Sequence, residues 1–480
     1  MALFSIWFGK HFYIVLSLII AASILRIWGL GNFDISPDEH HFIQDAYRYF
    51  TSDPYTVPRH HPFRHGVPFV GHPFLGQDLM QISFRLFGPS VFSGRLVMAL
   101  SNLFAVLGTY FLARTLFDKK IALLSLFLIV FLPHDVRYGR DAHLDPLLEA
   151  SLVWAAIFFW KMLNSNKLFW GGLVGLASAL VMTSKINGPF LFIFYGFALL
   201  IYTRIRNLQQ WSKEHFKQIV LAVLSFSLLF FLFVDPKSYL DALINPADPE
   251  IATIDKIVGP FLDGGIKFMT KIIFYLYGLP FATLVLFGLF ILIKRHKSAD
   301  LFLVALFLVY SHIFITHSGH SGEYGYITLN PYFVLMASVA LLYFKPAIRK
   351  VALVVVLIFF IPLLILHGIR LDIGSWTQLT KFNDSNFRYG QKPYRDAIVA
   401  INKITPSPVV LWIKDGDRQV PMMDIRGNVR LWPFFELGSV DTILLANSQM
   451  KSELISKREF YQYKEFNFKG RDNVWILRRQ

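Results

Sequence analysis

The chain has 480 residues, of which 54% are hydrophobic and 16% are charged, and it contains no cysteine. Soluble globular domains carry about 25% charged residues, so this composition excludes an ordinary soluble protein. The lack of cysteine excludes disulfides and thiol chemistry. The net charge is +15, but the basic residues are scattered between apolar runs and do not form one basic face. This distribution argues against a nucleic-acid partner.

About eleven apolar runs follow one another along the chain and predict a polytopic α-helical membrane protein, because a spanning helix needs about 20 mostly apolar residues. The runs lie near residues 12–30, 93–114, 121–134, 146–162, 168–184, 187–203, 217–234, 271–293, 299–316, 329–344 and 351–368. We expect the first run to be an uncleaved helix and not a signal peptide, since many more runs follow it.

Two long polar loops interrupt the series of apolar runs, and a polar tail follows the last run. The first loop covers residues 31–92 and is rich in Pro and His, and the second covers residues 235–270. We expect a membrane domain at residues 1–368 and a separate small α/β domain at residues 369–480. In this tail "YRDAIVAINKI" has helical spacing, whereas "PVVLWIK", "VDTILLA" and "VWILRR" have the pattern of strands.

Every second connection between the runs is short and basic, which predicts that these connections are cytoplasmic. Their basic residues are Arg114, Lys119, Lys120, Lys161, Lys167, Arg204, Arg206, Lys213, Lys217, Lys294, Arg295, Lys297, Lys345, Arg349 and Lys350. The N-terminus, with Lys10, then lies in the cytoplasm, and an odd number of spans places the C-terminal domain outside. Arg26 and Trp28 suit an interfacial anchor at the end of the first span.

The connections on the opposite side contain acids and bases close to helix ends. Asp38 and Glu39 stand side by side in the first loop, Arg140 and Asp145 lie in "HDVRYGRDAHLDP", and Lys185 lies in "MTSKING". Ionisable groups at such positions are costly unless they are paired or hydrated, which makes them candidates for function. We expect them to meet in one water-filled cavity.

Structural alternatives exist for each of these residues. Asp38 and Glu39 also suit the first turn of a helix. Lys185 also suits an interfacial lysine whose ammonium group extends to water. Arg140 and Asp145 also suit a structural ion pair. The His-rich segment 58–74 suits a metal site, but it lacks a defined ligand spacing. No metal ligand or cofactor is therefore assigned, and a divalent metal stays an open possibility.

Several motifs in chain order carry a resemblance to a known family. They are "PDEHHFIQDAYRYF", "GHPFLGQDLMQISFRLFGPSVFSGRLVMALSNLFAVLGTYFLARTLF", "GRDAHLDPLLEASLVWAAIFFW", "GLVGLASALVMTSKINGPFLF" and "YITLNPYFVLMASVALL". Their order resembles the class C glycosyltransferases (GT-C fold), in the branch with protein O-mannosyltransferases and lipid A aminoarabinose transferases. The family often has Arg-Tyr before the last Pro, whereas this chain has "EYGYITLNP".

The resemblance implies a GT-C membrane domain of about eleven helices with an extracytoplasmic C-terminal domain. It implies transfer of a hexose or pentose from a polyprenyl-phosphate donor to a protein, lipid or glycan acceptor outside the membrane. The short chain suggests a bacterial cytoplasmic membrane.

The resemblance also implies roles for individual residues. Asp38 is the expected base, and Glu39 is expected to orient the acceptor or to pair with a base such as Arg140. Lys185 and Arg140 are expected to hold the donor phosphate. Lesser candidates for shaping the donor pocket are His72, Arg95 and Asp145.

Two other functions fit the composition. A lipid flippase or small-molecule transporter also carries charges within the membrane, although transporters often have internal repeats and none is clear in this sequence. A non-catalytic subunit of polysaccharide assembly is the third possibility.

Overall fold

The computed structural model describes a mostly helical chain. The described residues are 10–30, 39, 42–43, 46–47, 50, 75–185, 187–203, 208–234, 270, 277–316, 323–369, 400–401, 403, 409–413, 428–431, 442–445, 448–456, 460–468 and 471–479. They fall into two compact units. The first contains Met1–Trp28, Pro58–Leu79 and Leu96–Leu379, and the second contains Gly29–Val57, Met80–Arg95 and Thr380–Gln480. The predicted domain boundary at residue 369 stays a prediction.

The helices of the described residues before position 400 follow in chain order. They are α1 (Lys10–Ile27), α2 (Leu75–Phe87), α3 (Val91–Leu116), α4 (Lys119–Val130), α5 (Pro133–Tyr138), α6 (Asp145–Leu163), α7 (Phe169–Ser184), α8 (Phe190–Thr203), α9 (Leu208–Glu214), α10 (Phe216–Phe233), α11 (Leu279–Arg295), α12 (Ser298–Thr316), a 3₁₀ helix (Glu323–Leu329), α13 (Asn330–Tyr343) and α14 (Pro346–Ile369). A proline in the first two positions begins α5, α6, α11 and α13, where its missing N–H breaks no helical hydrogen bond.

Each predicted apolar run overlaps one of these helices, which confirms the helical membrane class. Within the described residues, three helices are by themselves long and apolar enough to cross a bilayer, namely Val91–Leu116, Asp145–Leu163 and Gly325–Tyr343. Counting Phe190–Thr203 and Leu208–Glu214 as one bent span raises the number to four. The number of eleven crossings stays a prediction.

The exposed face of α10 is apolar and requires an apolar environment around the protein. Leu224, Leu228, Phe231 and Leu232 on this helix are all exposed, and Leu228 is exposed to 76%. Contiguous apolar patches of this kind are rare on soluble monomers. They match lipid, where α-helices satisfy their own backbone hydrogen bonds.

Helix α7 packs against α6 on one side and α10 on another. Its glycines permit the close approach to α10. A Cβ added at Gly171 would overlap the Gln218 carbonyl oxygen, and one at Gly175 would overlap both the Ala222 carbonyl oxygen and the Ser225 hydroxyl. The two glycines are four residues apart, the small-xxx-small pattern of close helix pairs in membranes. α7 is therefore held in place by backbone contact.

The C-terminal part of the second unit contains a five-stranded mixed sheet among the described residues. Its strands are β1 (Val409–Ile413), β2 (Asn428–Leu431), β3 (Thr442–Leu445), β4 (Phe460–Phe468) and β5 (Arg471–Arg479), and their spatial order is β2-β1-β3-β5-β4. β1 pairs in parallel with β2 and β3, whereas β5 is antiparallel to β3 and β4. A helix, α15 (Ser448–Ser456), lies between β3 and β4 in the chain.

The three strands predicted from sequence coincide with β1, β3 and β5. β2, β4 and α15 were not predicted. The predicted helix "YRDAIVAINKI" falls mostly outside the described residues.

We predict that Gly175→Ala destabilises the protein, because its Cβ overlaps backbone and side-chain atoms of α10. Overpacking of this kind costs about 1–3 kcal/mol. The measurement is thermal unfolding of the purified protein in detergent. Gly196→Ala in α8 is the matched control, since a Cβ there meets nothing within 4 Å. Equal melting temperatures for the two variants would contradict the close packing of α7 and α10.

Candidate functional site

The segment between α4 and α6 places four charged side chains in a short stretch of the first unit, namely Asp135, Arg137, Arg140 and Asp141. It begins with α5, a helix of six residues, and continues to Asp145, the first residue of α6. Arg137 donates to Asp141 at 2.5 Å, and His143 lies 3.8 Å from the same carboxylate. The Arg137–Asp141 ion pair thus neutralises part of the charge of this segment.

Lys185 and Asp145 form an ion pair between the ends of two packed helices. The Lys185 ammonium group donates to Asp145 Oδ1 at 2.7 Å, and the two side chains are exposed to 12% and 4%. Asp145 lies in the first turn of α6 and Lys185 directly follows α7. Each charge therefore has the sign that the nearby helix dipole favours. The pair places a cation and an anion at a nearly buried position.

Arg140 lies five residues before Asp145 in the chain but does not share its contact. Its guanidinium donates to the carbonyl oxygen of Trp28, just beyond the end of α1. Asp145 pairs with Lys185, so the ion pair between Arg140 and Asp145, the structural alternative considered from sequence, is absent from the described part of the chain. Arg140 is 3% exposed, so its guanidinium group is largely excluded from water.

Glu39 and Arg95 belong to the second unit and form a buried bidentate pair. Arg95 donates from Nε to Glu39 Oε1 at 2.5 Å and from Nη2 to Oε2 at 2.8 Å, and both side chains are fully buried. A third bond joins Arg95 Nη1 to the Leu30 carbonyl oxygen at 3.1 Å. Glu39 therefore contacts Arg95, whereas the sequence suggested Arg140 as its partner. Asp38 and His72 lie outside the described residues.

A second group of buried charges was missed by sequence reasoning. Arg26 is fully buried and donates to Asp135 Oδ1 at 2.6 Å and to the Ile129 carbonyl oxygen at 3.1 Å. It also donates to Asn102, whose amide donates to Glu149 at 2.8 Å. The expectation that Arg26 is an interfacial anchor is therefore wrong, although Trp28 is exposed.

A signal for this group was present in the sequence. Arg26 and Glu149 both lie within apolar runs, and ionisable residues inside such runs are functional candidates by default. Their partners come from distant parts of the chain, so the sequence could mark the two residues but not their contacts.

A metal site is not supported by the described residues, which contain no group of three or more His, Cys, Asp or Glu side chains that could hold an ion. The His-rich segment 58–74 lies outside them. In the first unit, Lys185 donates to a carboxylate and Arg140 donates to a carbonyl oxygen.

Comparisons with known proteins point to one fold. Residues 71–233 match the family model described as dolichyl-phosphate-mannose-protein mannosyltransferase. The chain is similar to the structure of ArnT from Cupriavidus metallidurans bound to undecaprenyl phosphate, with a TM-score of 0.65, 14% identity and coverage of 98% of both chains. It is also similar to the archaeal oligosaccharyltransferase AglB from Archaeoglobus fulgidus in complex with an inhibitory peptide and a dolichol-phosphate, with a TM-score of 0.56. That match has 14% identity and covers 98% of this chain and 74% of AglB.

No curated protein sequence matches the chain. The solved structures nevertheless resemble it over nearly its full length, and the family match covers α2 to α10 together with the Lys185–Asp145 pair. The chain therefore has the GT-C fold of integral-membrane glycosyltransferases, as the order of its sequence motifs predicts.

Proposed function

We propose that the chain transfers a sugar from a polyprenyl-phosphate donor to an acceptor on the extracytoplasmic side of the membrane. The observation that carries the proposal is the nearly buried Lys185–Asp145 pair, which lies in the segment matched by the mannosyltransferase family model. The fold supports it, since ArnT has the same fold and was solved with undecaprenyl phosphate bound.

The donor phosphate is the group that Lys185 and Arg140 would bind. A polyprenyl tail stays in the bilayer and leaves its phosphate near the membrane surface. Negative charge grows on this phosphate as its bond to the sugar breaks. Cations fixed at that place stabilise the transition state more than the ground state, and this difference lowers the barrier.

Asp145 gives the lysine a defined position before the donor arrives. An ammonium group has three N–H donors, and the bond to Asp145 uses one of them. The carboxylate partner also compensates for the loss of hydration of the ammonium group at a position that is only 12% exposed. Asp145 thus acts on the donor through Lys185, which refines its expected role in shaping the donor pocket.

The acceptor loses a proton as it attacks, and Asp38 is our proposed base. The acceptor oxygen forms a bond to the anomeric carbon, the bond from that carbon to the phosphate oxygen breaks, and the proton moves to Asp38. This is a single displacement with inversion, since a retaining route needs a second carboxylate that attacks the sugar. Phosphate leaves readily and needs no strong general acid.

Glu39 takes a positioning role in this proposal. Both of its oxygens accept hydrogen bonds from Arg95, so its carboxylate is poorly suited to accept a proton from the acceptor. The bidentate pair instead restrains the chain next to Asp38. Arg95 then acts through Glu39, and His72 keeps a lesser role near the donor.

The proposed setting is the bacterial cytoplasmic membrane, with the N-terminus in the cytoplasm and the C-terminal domain outside. The acceptor is a protein, a lipid or a glycan on that outer side. The alternation of basic connections supports this orientation.

We predict that Lys185→Ala weakens binding of undecaprenyl phosphate by about tenfold or more, because a hydrogen bond to a charged group contributes about 1.5–3 kcal/mol. The measurement is a direct binding titration with purified protein. Lys167→Ala is the matched control, since Lys167 is exposed and lies in a connection predicted to face the cytoplasm. Equal affinities for Lys185→Ala and wild type would remove Lys185 from the donor site.

We predict that Asp38→Asn reduces sugar transfer by about 10²–10⁴-fold, the usual contribution of a general base, while the protein stays folded. The measurement is transfer of labelled sugar from polyprenyl phosphate to a crude acceptor fraction. Asp34→Asn, in the same loop, is the control.

Wild-type turnover of Asp38→Asn would exclude this base. Movement of the labelled lipid across the membrane without any transfer by the wild-type protein would favour a flippase over the enzyme.

A further inference from the structure

The end of α1 contacts the charged segment 133–145 at two points. Arg26 bonds to Asp135 at 2.6 Å, and the carbonyl oxygen of Trp28 accepts a hydrogen bond from Arg140. We call these two contacts, together with the bond from Asn330 to Asp135, the α1 clamp. Asn330 Nδ2 donates to Asp135 Oδ2 at 3.0 Å, so both carboxylate oxygens of Asp135 are bound.

The clamp joins parts of the chain that are distant in sequence. Arg26 comes from α1, Asp135 from α5 and Asn330 from the start of α13. Tyr277 extends the clamp by donating to Asn330 Oδ1 at 2.5 Å. All four side chains are buried, where breaking one member of an ion pair leaves an uncompensated charge.

Arg26 also secures the helix that precedes the segment. Its guanidinium donates to the carbonyl oxygens of Ile129 and Val130, at 3.1 and 3.4 Å, and these residues form the last turn of α4. The last carbonyls of a helix have no partner within it. One side chain therefore satisfies the end of α4 and binds the start of the following segment.

The contacts within the segment itself include the Arg137–Asp141 ion pair and the turn hydrogen bonds that follow α5. α5 has only six residues, and helices of this length are unstable without tertiary contacts. Gly139 follows α5 and packs against the Asn102 side chain so closely that a Cβ would overlap it. Arg140 comes next, and its guanidinium is held by Trp28. Contacts with Trp28, next to α1, and with Asn102 on α3 therefore help to fix the position of Arg140.

We propose that Arg26 and Asp135 are positioning residues of the donor site, which fix the segment 139–145 and with it Arg140 and Asp145. This inference rests on the proposed function, because those two residues matter as the donor-phosphate contact and as the partner of Lys185. Neither Arg26 nor Asp135 contacts the donor in this account.

The test uses the whole chain and two ways of removing the Arg26–Asp135 ion pair of the clamp. Asp135→Asn keeps the side-chain shape but removes the charge opposite Arg26. The double variant Arg26→Met with Asp135→Leu removes both charges, and such apolar replacements of buried ion pairs often fold well. Ser125→Ala is the control for loss of a buried hydrogen bond between helices, since Ser125 bonds to Ser338 at 3.0 Å outside the clamp.

The first measurement is hydrogen exchange of the backbone amides at residues 139–145 in the purified protein. We expect exchange to be faster by about tenfold or more in both clamp variants, because local opening becomes easier when tertiary contacts are lost. Ser125→Ala should exchange there as the wild type does. Wild-type exchange at 139–145 in the folded double variant would overturn the proposal.

The second measurement is the affinity of the folded fraction for undecaprenyl phosphate, which a purely structural role would not change. We expect both clamp variants to bind about tenfold more weakly, a change of about 1.4 kcal/mol. Arg26→Lys, which retains the charge, should recover part of that loss. Unchanged affinity in the folded double variant would overturn the proposal.

The two measurements separate this inference from the proposed function. If the wild-type protein binds no undecaprenyl phosphate, the proposed function is contradicted. The exchange of residues 139–145 then decides by itself whether Arg26 and Asp135 position the segment.

Discussion

A charged side chain inside an apolar helical bundle must have a partner, and this requirement governs the structure of the first unit. An unpaired charge there costs several kcal/mol because no water replaces the missing contacts. Arg26 therefore binds Asp135, and Lys185 binds Asp145. The first pair joins α1 to α5, which are far apart in sequence, and the second joins the start of α6 to the end of α7, the next helix in the chain. The same contacts that neutralise charge therefore also define which helix ends lie together.

The pairing becomes useful for chemistry because it occurs at helix ends. Lys185 follows α7 and Asp145 begins α6, so the favourable ends of two helix dipoles support the pair. The position of α7 depends on Gly171 and Gly175, which allow backbone contact with α10. The two glycines thus determine how α7 packs against α10, and this packing determines the position of Lys185 at the end of α7. A phosphate-binding cation needs this fixed position, since an ordered charge stabilises a transition state without reorganisation.

The identity to ArnT and AglB is only 14%, as expected for a fold that depends on helix packing and on few side chains. Lipid-facing positions require only apolar side chains, and many residues satisfy that condition equally well. The fold can therefore persist while most lipid-facing side chains differ. The five-stranded sheet follows other rules, because its parallel pairs β1–β2 and β1–β3 cannot be joined by a tight hairpin.

Sequence alone determined the membrane class, the helical segments, three strands of the sheet and the charged residues worth attention. Apolar runs and alternating patterns are local properties, and they suffice for secondary structure. Only the tertiary structure decided the partners. The sequence predicted an interfacial anchor at Arg26, but this residue is buried and binds Asp135. Asp145 contacts Lys185 and not Arg140. Glu39 contacts Arg95. The physical reason is that a charge pairs with whichever opposite charge helix packing brings within about 3 Å, and helix packing depends on residues from the whole chain.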